Sequence, residues 1–338
     1  MTSAVLPSRS RSGVKRSLPS RPARARSRAA GAETSIQPGF RRESPAGAAA
    51  RGNEVQELSG RVAIVAGVGN LGRVLARRFA EERMRVVLAD IDASGLASAE
   101  AELRAAGASC LAVPTDVGKL AAVQALAERT LEEFGAVHVL CNNVGVNPRS
   151  ATLWEASDAD WRWTLDGNLW GTVHAVRVFV PIMLAQGEGH IVNTTTVPAF
   201  GGRRGNSPYV VSKGAIVTLT EVLHHELAEA GSEVRASLLI PGRISGGIAK
   251  SERPAEYREP GDEERLALER ERYEARMRDR QSEPADEYRT PEQIAELVCE
   301  AIREERFYVL TQPETAVEQV RRRTEAIASG GPPVLFHG

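Results

Sequence analysis

The chain has 338 residues, 42% of them hydrophobic, with 43 Lys+Arg against 44 Asp+Glu and a formal charge of −1. This content suits one large α/β domain or two small ones, and no uninterrupted apolar run approaches the ~18–20 residues of a membrane span. Three widely spaced cysteines, Cys110, Cys141 and Cys299, argue against a disulfide scaffold or zinc site and for buried thiols in a reducing, cytoplasmic setting.

Residues 1–52 carry eleven basic residues, ten of them Arg, against Glu33 and Glu43; this +9 leaves −10 on the rest. An acidic body argues against nucleic acid as a partner. Rich in Ser, Arg, Pro and Ala, the first segment cannot bury enough apolar surface to offset the entropy of ordering, so 1–57 reads as a disordered basic tail. It has no apolar h-region of a secretory signal. Its Arg-rich, acid-poor composition leaves organelle import open beside a dispensable upstream extension.

From Gly60 the texture changes. Arg61–Ala66 is a short apolar run stopped by glycine, the mark of a buried strand, and Asn70–Glu82 has helical periodicity. Strands at Arg85–Ala89, Ser109–Pro114, Ala136–Cys141, His190–Thr195 and Val234–Ile240 alternate with helices at Ala93–Ala106, Leu120–Phe134, Asp158–Ala185 and Tyr209–Glu229. Helix resumes after Thr290-Pro291, Phe307–Thr311 reads as a seventh strand, and Pro313–Ser329 as a closing helix. The alternation predicts a single α/β domain over 58–330, doubly wound and Rossmann-type, with a parallel seven-stranded sheet and helices on both faces. Residues 243–290, with the charged run Glu263–Arg280, read as a helical insertion serving as substrate loop or lid, and 331–338 as a C-terminal tail.

The first strand runs into Gly67-Val68-Gly69-Asn70-Leu71-Gly72, a G-x-G-x-x-G between strand and helix. Its glycines permit a tight turn, close approach to a pyrophosphate, and close helix–strand packing. Asp90, 23 residues beyond Gly67 at the end of the second strand, would accept from ribose hydroxyls and repel a 2′-phosphate, which favours NAD over NADP. Asp92 is the better candidate to cap the following helix.

Tyr209 and Lys213 stand four apart on one helix face, so an ammonium can stabilise a phenolate that takes an alcohol proton. Only four basic residues are Lys, so its use here is selective. By contrast, His224-His225-Glu226 lacks the H-E-x-x-H spacing, and no metal is expected.

Taken together the chain resembles the short-chain dehydrogenase/reductase family over about 58–245. The glycine turn, Asp116-Val117, Asn142-Asn143-Val144-Gly145, Asn168-Leu169-Trp170-Gly171, Ile191–Thr196, Tyr209-x-x-x-Lys213 and Pro241-Gly242 follow that family's pattern in order. The resemblance implies a catalytic set of Asn168, Thr196, Tyr209 and Lys213. It implies cofactor contacts at Gly67, Gly69, Asn70, Leu71, Gly72, Asp90, Ile91, Asp116, Val117, Asn143, Val144, Gly145, Tyr209, Lys213, Pro241, Gly242 and Ile244. Substrate contacts are expected at Thr196, Trp154 and Phe200.

Several positions depart from the pattern. The last glycine of the loop stands five positions after the first rather than six, and Ala66 replaces a Thr. Thr196 stands where the family has Ser, thirteen residues before Tyr209; it keeps the hydroxyl but adds a methyl that restricts χ1. Gly246, beside Ser245, replaces the Thr that follows Pro-Gly, and the family's glycine-rich C-terminal strand is absent. The implied reaction is NAD-linked oxidation of a secondary alcohol to a ketone. The apolar residues Trp154, Val197, Phe200 and Ile248 point to a fairly apolar small molecule, terpenoid, steroid or polyketide-like. The alternatives are a ketone reductase or a catalytically weakened NAD-binding sensor. By resemblance, a homodimer or homotetramer is expected through the long helices around 118–134 and 158–185.

Overall fold

The computed structural model describes residues 57–148, 152–242, 244, 253–268, 271 and 289–336. The basic tail, Ser245, Gly246, Ile248 and much of the charged run lie outside them. The chain divides into Met1–Gly52 and Asn53–Gly338, and only the second holds described residues.

Short runs of Val, Ile, Leu and Ala suit strands buried on both faces. They form β1 (Val62–Ala66), β2 (Arg85–Asp90), β3 (Cys110–Pro114), β4 (Val139–Asn142), β5 (Gly189–Thr194), β6 (Val234–Ile240) and β7 (Tyr308–Leu310). The sheet order is β3-β2-β1-β4-β5-β6-β7, and every pairing is parallel. Chain order reverses between β1 and β4, which opens a crevice beyond their carboxyl ends, where sheets of this kind bind ligands.

The helices are α1 (Asn70–Glu81), α2 (Ala93–Ala105), α3 (Leu120–Phe134), α4 (Asp158–Thr164), α5 (Gly171–Gln186), α6 (Ser207–Glu229), α7 (262–268), α8 (Pro291–Arg303) and α9 (Pro313–Ser329). Alternate side chains of β1 serve opposite faces: Ala63 and Val65 join α1, α2 and α8 in one core, while Val62, Ile64 and Ala66 join α3, α5 and α6 in the other. This is the doubly wound arrangement expected from the sequence. Asp92 caps α2, accepting from Ser94 N and Gly95 N at 3.1 Å each. Thr290 and Gln293 form a capping box at α8, with Pro291 in its first turn.

The stretch Asp158–Ala185, read as one helix, is interrupted. Between α4 and α5 lies a π-helical turn, Leu165–Trp170. By length and composition Asp158–Gln186 could cross a membrane. In the fold α5 buries Ala175, Phe179 and Met183 against the sheet, as a core helix does. Residues 331–336, read as a tail, return to the body: Phe336 N donates to Gly202 O at 2.9 Å, and the Phe336 ring packs on the cluster of Val197, Ile216 and Leu238. The three cysteines are buried and unpaired.

Candidate active site

The crevice is built from its glycine turn upward. Gly67 adopts φ +91, and a Cβ there would fall 2.7 Å from Val144 N. A Cβ on Gly72 would collide with the Gly67 carbonyl, so this glycine lets α1 sit close to β1. Gly69 has no atom within 4 Å of where its Cβ would stand, which leaves open ground before the N-terminus of α1. Gly67 and Gly72 thus meet the turn and packing demands read from their spacing. Asn143 Nδ2 donates to Gly67 O at 3.0 Å and braces the turn from β4. In the first turn of α1, Asn70 is exposed and Leu71 buried.

Asp90 ends β2 beside this turn. Its Oδ2 accepts from Val68 N at 2.6 Å and its Oδ1 from Asp92 N at 2.9 Å. The following Ile91 side chain is exposed. After β3, Asp116 Oδ1 accepts from Gly118 N at 3.0 Å, and Lys119 Nζ lies 3.1 Å from its Oδ2. Val117 packs against Gly171, and its carbonyl accepts from His174 Nδ1 at 3.0 Å. An open glycine cradle, a helix N-terminus and a carboxylate at the end of the second strand fit a dinucleotide.

The chemistry-bearing side chains meet at the carboxyl ends of β4 and β5. Thr196 follows β5, and Tyr209 stands at the start of α6, where the Thr196 side chain lowers its phenol. One turn on, Lys213 is 2% exposed; its Nζ donates to Val144 O at 3.0 Å and Thr194 O at 2.9 Å. Asn168, in the π-helical turn, clamps the chain after β4 through Val146 N (2.8 Å) and Val146 O (3.0 Å), and donates to Ser212 Oγ at 3.0 Å. Single π turns inside α-helices recur at functional sites, because the extra residue redirects a side chain. Here it buries Asn168 against α6.

Burial pushes the Tyr209 phenol up to about 12, while the Thr196 hydrogen bond and the Arg203 charge pull it down. Burial draws the Lys213 ammonium down to about 7. The spacing predicts that Lys213 lowers the phenol; in the structure Lys213 stands one helical turn from Tyr209, with its ammonium donating to two main-chain carbonyls.

Pro241 O accepts from Val197 N at 3.1 Å, and Gly242 N donates to Thr311 Oγ1 at 2.9 Å. Gln312 fills the space a Cβ on Gly242 would need, and Ile244 packs on the first core. Val144 and Gly145 are half-buried beside the glycine turn. Trp154, beyond β4, is 84% exposed, and Phe200 packs in the cluster that holds Phe336. His224 stacks edge-on against Phe307, with ring centroids 4.9 Å apart. Two residues of this region carried no reading from the sequence. Ser212 is legible only as the neighbour of Lys213, and Arg203 follows no spacing rule.

A family model described as short chain dehydrogenase matches residues 61–257. The CLA biosynthesis dehydrogenase/reductase of Lactiplantibacillus plantarum is 28% identical over 286 residues, covering 82% of this chain and 97% of that protein. The 1-deoxy-11-beta-hydroxypentalenate dehydrogenase of Streptomyces avermitilis is 38% identical over 185 residues, 54% of this chain and 68% of its own. Among solved structures, a short chain dehydrogenase/reductase from Burkholderia phymatum in complex with NAD is 42% identical with a TM-score of 0.75, covering 83% of this chain and 99% of that one. A metagenomic short-chain oxidoreductase in complex with NADP is 31% identical with a TM-score of 0.52, covering 55% and 84%.

Proposed function

Because the chain belongs to the short-chain dehydrogenase/reductase family, we propose that it oxidises a secondary alcohol to a ketone with NAD, with Tyr209 as the general base. The observation that carries the reading is the buried Lys213 one helical turn from Tyr209, with Asn168 tied to the same helix through Ser212 Oγ at 3.0 Å. Tyr209 Oη takes the alcohol proton, and Thr196 Oγ1 orients the substrate oxygen. Arg203 favours the phenolate by charge against the opposing effect of burial. Lys213 holds the nicotinamide ribose, and Asn168 braces the proton's route to solvent. Bound nicotinamide supplies the hydride acceptor.

Backbone N–H groups around Gly69 and Asn70 hold the pyrophosphate, Asp90 the adenosine ribose, and Asp116 with Val117 the adenine edge. Asp90 supports NAD over NADP. The substrate is a fairly apolar small molecule; the relatives named for hydroxypentalenate and for CLA biosynthesis favour a hydroxylated, mainly hydrocarbon skeleton. Oxidation is the preferred direction, and ketone reduction by the same groups is the second reading. An apolar groove between α5 and α6, lined by Val176, Ala215, Leu219, Val222 and Leu223, supports a homo-oligomer formed there.

The test is NADH absorbance across a panel of secondary alcohols, with wild type and Tyr209→Phe compared. The variant should lose about 10²–10⁴-fold in kcat with NAD binding retained. Near-normal turnover in Tyr209→Phe would refute the assignment.

A further inference from the structure

Residues 253–268 are rich in charge and are tied to α4, which leads directly into the π-helical turn that bears Asn168. Arg253 is buried. Its guanidinium pairs with Asp160 of α4 and, at 3.2 Å, with Asp262, and it lies 5.4 Å over the Trp163 ring. Arg265 completes the set, with Nη1 3.0 Å from Asp160 and Nη2 2.6 Å from Asp262. Two cations and two carboxylates therefore neutralise one another between this segment and α4. Removing one partner of such a set would strand the others.

Held by that anchor, the short 3-10 turn Ala255–Tyr257 reaches the π-helical turn. Tyr257 Oη donates to Asp166 Oδ2 at 3.1 Å, and Asp166 lies two residues before Asn168. On its other side Asp166 packs so closely on Gly118 that a Cβ there would stand 3.3 Å from the Asp166 Cβ. Glu256, beside Tyr257, is 3.0 Å from Lys119, which also pairs with Asp116. A π turn accommodates an extra residue at the expense of regular hydrogen bonding, so side-chain ties at its ends decide where its residues point.

We propose that Tyr257 is a positioning residue that acts through Asp166 to hold the π-helical turn, and with it Asn168, in place against Val146 and Ser212. The buried Arg253–Asp160–Arg265–Asp262 set gives Tyr257 a fixed base. The inference rests on the dehydrogenase reading for its catalytic consequence, but not for its structural one.

The experiment uses the full chain and two readouts. Tyr257→Phe removes only the donor. It should lower kcat about tenfold with KM for NAD nearly unchanged, since misplacement of a distant support acts on turnover. In the Asn168→Ala background the same change should cost nothing more, because its target is gone. Asp166→Asn, which keeps an acceptor, should stay near wild type, while Asp166→Ala should reproduce the loss and stands in if Tyr257→Phe folds poorly. Hydrogen exchange of residues 165–170 needs no turnover and should speed up in Tyr257→Phe. Multiplicative losses in the double variant would overturn the proposal, and so would unchanged exchange. A wild type without turnover would instead overturn the dehydrogenase reading while leaving the exchange result to decide this one.

Discussion

Asn168 Nδ2 donates to Ser212 Oγ across 3.0 Å, and Ser212 Oγ donates in turn to Tyr209 O at 2.7 Å. The π-helical turn and the first turn of α6 are therefore joined by a fully buried hydroxyl that sits between the acid/base candidate and its lysine. Ser212→Ala leaves one Asn168 amide proton without this acceptor. The expected loss is about 1–2 kcal/mol of stability, measured by urea unfolding. The accompanying fall in kcat should exceed any change in KM for NAD, because the glycine turn and Asp90 are untouched.

Arg203 gives a pH prediction. Burial raises the Tyr209 phenol, and the Arg203 charge is one of two influences that lower it. The working form is the phenolate, so neutralising Arg203 should move the acid limb of the kcat/KM profile to higher pH and slow the enzyme most near neutrality. Arg203→Gln tests the charge, and Thr196→Val tests the hydrogen bond. An unchanged acid limb in Arg203→Gln would remove Arg203 from the site.

The sheet was legible because each strand is a short apolar run flanked by turn residues, and burial on both faces demands such a run. The glycine turn was legible because Gly67 and Gly72 answer steric demands that no other residue meets. The π-helical turn was not. One inserted residue leaves the apolar spacing of 158–185 nearly intact, and only the packing of Asn168 against Val146 and Ser212 reveals it. The Arg253 set was hidden for a different reason. No local spacing marks Arg253 for burial, which depends on Asp160, more than 90 residues earlier. Arg203 acts through space on Tyr209, which no local pattern records.

Lys213 links the site to stability. An unfolded lysine titrates near about 10.4, and burial draws this one down to about 7 in the folded chain. Between those values the unfolded state holds a proton that the folded state has lost. Stability should therefore rise with pH across that window, by at most about 1.4 kcal/mol per unit from this group. Below about pH 7 the full cost of charging a buried ammonium is present. Unfolding midpoints from pH 7 to about 10 should show the slope in wild type and a flatter one in Lys213→Met. Equal slopes would mean that the ammonium keeps its charge in the folded chain.

Asp90 carries two duties that substitution can separate. Its oxygens hold Val68 N and Asp92 N, which shapes the glycine turn, and its charge opposes a 2′-phosphate. Asp90→Asn drops the charge and keeps only one of the two oxygen acceptors, so it should narrow the ratio of KM values for NADP and NAD while losing one of the two backbone hydrogen bonds and some thermal stability. Asp90→Ala drops both, and should also raise KM for NAD by about tenfold as the turn loosens. Wild type should favour NAD in the same assay. A wild-type preference for NADP would show that the carboxylate is fully occupied by its two backbone donors and takes no part in choosing the cofactor.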